Sequence, residues 1–153
     1  MHGFVISSPS LSLLRPAQLL SPGTWFADDV TREWHTQNQF PLLAWSAQAG
    51  GLASATGKEK DAPSDFIVQT YATAENRVRI ERARELAAAK GVSVAQVALA
   101  FVLAQPFPTI ALIGPSTVAH LQDSLGAIHV ELSPNELAYL DLHTNIKVRS
   151  HYD

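Results

Sequence analysis

The stretch TIALIGPSTVAHL (Thr109–Leu121) decides how this chain is read. The apolar run TIALI stops at Gly114, and GPST leads straight into a helical pattern. A short buried strand that turns tightly into a helix is the building unit of α/β proteins. The N–H groups left free at the helix start favour an anion. An ordinary βα turn would use the same residues, with Gly for tightness and Pro near the helix start. Spacing alone leaves both readings open.

Moving outward, SVAQVALAFVLAQ before the strand reads as a helix that is apolar nearly all round, and so deeply packed. Ser93 and Gln96 have the spacing of a capping box. Before it, residues 74–90 form a helix ended by Gly91, with Ile80, Ala83 and Ala87 on one stripe and Glu75 four residues before Arg79. After the strand, STVAHLQDSLGAI is a helix ending near Gly126. SPNELAYLDLH is another, with Ser133 as cap, Pro134 in the first turn and Glu136 closing a second capping box.

Nearer the start, GFVIS (Gly3–Ser7) and FPLLAWS (Phe40–Ser46) read as buried parallel strands. Between them ADDVTREWHTQ reads as a helix capped by Asp28 or Asp29, with Val30 and Trp34 on one face. AQAGGLASATGKEKDAPSD is a long loop. It is either a plain surface connection or a βα loop over a site, and its length leans toward the second. Strands separated by helices give an α/β fold with a parallel sheet. Three such strands do not close a sheet, and a (β/α)8 barrel needs about 250 residues. The expectation is therefore the end of something larger, with parallel strands and covering helices, residues 1–153 forming one domain.

Composition narrows the function classes. A formal charge of −3 and a pI near 6.0 argue against nucleic-acid binding. With no cysteine, disulfides and thiolate metal sites are excluded. The histidines (His2, His35, His120, His129, His143, His151) show no paired metal spacing, so no metal site is expected. VALAFVLA is far shorter than the roughly 20 residues that cross a bilayer. MHGFVISSPS lacks the basic residues and long apolar run of a signal peptide. A cytoplasmic protein with no membrane partner is expected.

No Gly-x-Ser-x-Gly elbow, Walker A loop or G-x-G-x-x-G is present, and no carboxylate pair suggests a glycosidase. The chemistry of such folds sits at strand C-termini. Here those ends are AWSAQAGG, with Trp45 as core residue or stacking platform and Gly50–Gly51 allowing close backbone approach, and IGPST, with His120 four residues beyond Ser116.

These residues carry a resemblance. Glu81–Asp141, about sixty residues, closely resembles the C-terminal part of aldo-keto reductases in its KGVSVAQVALAFVLAQ, IGPST, TVAHLQDSL and LSPNELAYLD segments. FPLLAWSAQAGGLAS looks like the family's seventh barrel strand and loop, and VISSPSLSL resembles its sixth strand in a bacterial subgroup. The resemblance implies a partial (β/α)8 TIM barrel, its last three parallel strands with covering helices, and an oxidoreductase that transfers hydride between NADPH and aldehydes or ketones, with NADP(H) as cofactor, a small-molecule carbonyl substrate and no metal. It implies Ser7 near the nicotinamide carboxamide, Trp45 stacked on that ring, and Ser46, Gln48 and Gly51 along the pyrophosphate loop. Gly114, Pro115, Ser116, His120 and Ser124 would surround the adenosine and its 2′-phosphate.

Two departures stand out. The family often has Arg at the position of Ser116, Arg or Gln at His120 and Asn at Ser124, so these donors are shorter or less positive here. The family's catalytic Asp, Tyr, Lys and His belong to strands two to four, which would precede Ser7. Tyr71, Tyr139, Tyr152, Lys58 and Lys60 lie outside the matching motifs. The expectation is a truncated member that keeps the cofactor end, lacks the proton donor and is prone to self-association. The alternative is a non-catalytic nucleotide-binding or interaction module that completes its barrel with another chain.

Overall fold

A computed structural model describes residues 3–54 and 62–144. The element order is α1 (Asp29–Asn38), β1 (Leu42–Ala44), a 3-10 segment (Ala49–Ser54), α2 (Asp65–Tyr71), α3 (Ala74–Lys90), α4 (Val94–Leu103), β2 (Thr109–Ala111), α5 (Val118–Gly126), a 3-10 turn (Ala127–His129) and α6 (Pro134–Leu140). β1 and β2 pair in parallel, with Leu42 opposite Thr109 and Ala44 opposite Ala111. A parallel pair needs a crossover, and here it runs through α2, α3 and α4.

The sequence predicts a strand over Gly3–Ser7, and the structure corrects it. Only Ser7 pairs, in a parallel bridge to Leu42. Phe4 and Val5 are 95% and 74% exposed. With a single bridge at its end and these side chains in solvent, the segment has neither ladder nor core to hold it as a strand. β1 and β2 are likewise shorter than the apolar runs that contain them.

Capping sets the helix limits. Asp28 accepts from Thr31 N, Thr73 from Asn76 N, and Thr117 from His120 N. Ser93 with Gln96 and Ser133 with Glu136 form complete capping boxes. α4 is the core helix, with Val97 through Val102 buried, and Ala83 and Ala87 of α3 are buried as the stripe predicts. Sequence reasoning misses α2. Its DFIVQTY looks strand-like, but Ser64 caps it by accepting from Ile67 N.

Polar groups tie the helices together from inside. Buried Asn76 accepts from Arg15 N at 3.0 Å and donates to Arg15 O and Tyr71 O. Arg79 is buried, not a surface partner for Glu75, and donates to Asn76 Oδ1 at 3.4 Å. Lys90 pairs with Glu136 at 2.7 Å, and Tyr139 donates to Glu85, which ties α6 to α3.

Arg15 and Arg32 both bind Asp29 and Asp141. The Arg15 guanidinium, with help from Arg32 and against the opposing effect of burial, holds the Asp29 carboxyl well below the usual carboxylate range. Burial alone would raise the Glu136 carboxyl, but the Lys90 ammonium and the Ser133 cap reverse this and lower it. A carboxyl lowered in the folded state binds fewer protons folded than unfolded. Its stabilisation is therefore present above the ordinary carboxylate pKa, about 4, and is lost as pH falls below it. Urea unfolding between pH 3 and 7 should show stability dropping below about pH 4, and the drop should be smaller in Arg15→Met. A flat profile would contradict this.

Candidate functional site

The parallel register sends both strand ends the same way. Ser46 follows the end of β1, and Leu112 follows the end of β2, with Leu112 N donating to Ala44 O at 2.8 Å. Between these ends and the first turns of α4 and α5 lies a cleft of about 820 Å3, in the range of small-molecule and cofactor sites. Ser46, Gln48, Gly51, Gly114, Pro115, Ser116, His120 and Ser124 all line it.

The β1 side is unusual backbone. Ser46 and Ala49 adopt the left-handed region at φ 53° and 50°, followed by Gly50 and Gly51 at 62° and 81°. For a residue with a Cβ this conformation costs about 1–2 kcal/mol. At Gly50 a Cβ would also meet the Ile67 side chain of α2 at 3.1 Å. The loop is thus seated on α2, and strain of this kind often marks a binding segment.

The other wall is hydroxyl-rich. Ser116 Oγ and His120 Nδ1 are 3.0 Å apart, and Thr117 caps α5. Gln48 Nε2 donates to Ser124 Oγ at 3.2 Å, joining the β1 loop to α5. Ser93, the cap of α4, donates to Asp123 Oδ2 at 2.9 Å, and Gln96 Nε2 donates to Asp123 O at 3.0 Å. Ser93, Asp123 and Ser54 also line the cleft, and sequence reasoning does not find them. The capping-box spacing marks Ser93 and Gln96, but nothing in sequence shows that they also grip α5.

Ser7 and Trp45 do not line the cleft. Ser7 Oγ is 2.9 Å from His35 Nε2, while His35 Nδ1 meets Phe40 O at 2.7 Å. A carbonyl only accepts, so Nδ1 is the donor and Nε2 is left for the Ser7 hydroxyl. Half-buried Trp45 donates its indole N–H to Ser8 O at 3.1 Å. Lys58, Lys60, Tyr152, His2 and His151 lie outside the described residues. Ligand atoms of Asp29, Asp141 and His143 approach within 4.8 Å of one another, but both carboxylates are taken by Arg15 and Arg32. No single helix among the described residues is long and apolar enough to cross a membrane.

The profile of the aldo/keto reductase family matches residues 5–145. The chain belongs to the aldo/keto reductase family. It is 33% identical over 100 residues to the uncharacterized oxidoreductase YrpG of Bacillus subtilis, covering 65% of this chain and 31% of that protein. It is 32% identical over 109 residues to versiconal hemiacetal acetate reductase of Aspergillus parasiticus, covering 65% and 31%. Against the methylglyoxal reductase YeaE of Escherichia coli it is 36% identical over 110 residues, covering 71% and 31%. Among solved structures, a thermostable aldo-keto reductase in complex with the inhibitor epalrestat superposes with a TM-score of 0.59 at 21% identity, over 92% of this chain and 40% of that one. The fold is thus α/β and consistent with part of the barrel. The matches span about a third of the length of these relatives.

The α4–α5 clamp is sensitive at one position. A Cβ on Gly126 would lie 2.2 Å from Gln96 Nε2, whose amide is already committed to the Ser93 cap and Asp123 O. Gly126→Ala should lower stability by about 1–2 kcal/mol despite the better helix propensity of Ala. Thermal melting checks this; an unchanged or raised Tm would show that Gln96 is not fixed.

Proposed function

We propose that this chain is the cofactor-binding part of an aldo/keto reductase oxidoreductase and that the cleft holds NADP(H). Eight residues from two separate strand ends and the helix after the second line one cleft of suitable size, and that observation carries the reading. The donor set fits a nucleotide: a left-handed backbone loop, serine hydroxyls, one carboxamide and the α5 N-terminus. Bound there, the cofactor supplies or accepts hydride. Ser46, Gln48 and Gly51 hold the pyrophosphate, and Gly114, Pro115, Ser116, His120 and Ser124 take the adenosine end. Ser7 and Trp45, next along the sheet, face the nicotinamide.

On this reading the described residues leave the proton side of carbonyl reduction to another part of the protein: Tyr139 donates to Glu85, Lys90, the one described lysine, pairs with Glu136, and neither of these nor Tyr71 lines the cleft. Hydride delivery needs the developing oxyanion stabilised or protonated. The 153-residue chain should bind NADPH by calorimetry and show no aldehyde reduction above a no-protein control. Turnover by the chain alone would overturn the second half of this proposal; absence of binding would overturn the first.

Among the described residues that line the cleft there is no arginine. NADPH and NADH should therefore bind within about tenfold of each other, and Ser116→Arg should shift the ratio toward NADPH by about tenfold. Equal ratios in the two proteins would remove Ser116 from the 2′-phosphate site.

A second reading, a module that completes its barrel with another chain, has one observation in its favour. β2 pairs only with β1 among the described residues, and Ile110, Leu112, Val118, Leu125 and Ile128 nearby are exposed. Sedimentation separates the readings, since a stable monomer at high concentration counts against this second one.

A further inference from the structure

We infer that His120 couples phosphate binding in the cleft to a proton, so that the preference for NADPH over NADH rises as pH falls; the inference rests on the cofactor reading above. His120 and Asp123 are the two acid–base side chains among the described residues that line the cleft. Asp123 brings negative charge, and its carboxylate accepts from the Ser93 hydroxyl at 2.9 Å. His120 is therefore the one described lining residue that can become a cation. The described lining residues on the β1 loop and on α4, Gln48, Ser54, Ser93, Val94 and Ala95 among them, carry no charge.

The turn before α5 gives that cation a partner. Thr117 caps the helix by accepting from His120 N at 3.1 Å, and the His120 side chain lies one turn on from Ser116. Ser116 Oγ and His120 Nδ1 are 3.0 Å apart, and both residues are exposed. In a neutral ring with Nδ1 bare, the Ser116 hydroxyl hydrogen is spent on that nitrogen. In the protonated ring both nitrogens carry hydrogen, so Nδ1 donates, Ser116 Oγ accepts, and the hydroxyl hydrogen is released. One proton thus adds a positive charge and frees a donor at the same turn. The α5 N-terminus favours an anion at that place too.

An imidazole ordinarily changes charge between about pH 5 and 8. A bound anion favours the protonated ring, and by reciprocity the protonated ring favours the anion to the same degree. The 2′-phosphate of NADPH gains this interaction, and the 2′-hydroxyl of NADH does not. NADPH affinity therefore rises as pH falls from 8, until the phosphate takes up its own proton near about pH 6.

Calorimetric titration of the chain with NADPH and with NADH, at pH 8 and pH 6.5 and in buffers of different ionisation heat, tests this. NADPH should bind about fivefold tighter at pH 6.5 than at pH 8, the size of a solvent-exposed ion pair, while NADH changes by less than about twofold. NADPH binding should take up a fraction of a proton that NADH binding does not. His120→Gln should abolish both the pH dependence and the uptake. His120→Arg, a permanent cation, should bind NADPH tightly at both pH values with no uptake. A ratio of NADPH to NADH affinity that does not change with pH would overturn the coupling. Uptake that survives in His120→Gln would overturn it as well, because the proton would then sit on Asp123 or on the phosphate. Binding of neither dinucleotide by the unsubstituted chain would instead overturn the cofactor reading, and this inference with it.

Discussion

The pairing of Leu42–Ala44 with Thr109–Ala111 in parallel is the constraint on which the rest depends. Only a parallel register sends the Ser46 loop and the Gly114 turn to the same end of the sheet. The crossover that this pairing demands is also what supplies the cleft's supports. α2 comes under the loop at Gly50, and α4 brings Ser93 and Gln96 against α5. Position and support thus come from one topological fact.

The supports are polar and specific, not only apolar. Asn76 pins the Arg15 segment and the end of α2 together, and the α4 cap is shared with Asp123. Each of these groups is buried or half-buried, so losing one partner would leave another unsatisfied. That gives the two walls of the cleft a defined separation, spanned by the Gln48–Ser124 bond.

Much of this was legible in sequence, for identifiable reasons. Helix limits were readable because caps are local: Ser93 with Gln96, Ser133 with Glu136, and Gly91 act within a single turn. The site ends were readable because the resemblance runs through them, and the residues it names at the β1 loop and the β2 turn come together in the cleft. What failed was non-local. The Gly3–Ser7 run has strand chemistry but meets a partner only at Ser7. α2 has strand-like residues but is held as a helix by its cap and by packing on the loop. Asn76 and Asp123 carry no motif, because their importance arises from what lies beside them in space. Ser7 and Trp45 were named by resemblance and lie beside the cleft, outside its lining.

The central claim is that two strand ends form one nucleotide site. Titration of the isotope-labelled chain with NADPH, followed by amide chemical shifts, tests it most directly. The account predicts shifts concentrated at residues 46–54 and 112–124, on both walls at the same ligand concentration. Shifts confined to one wall, or centred on the Arg15–Asp29–Arg32–Asp141 cluster, would contradict it.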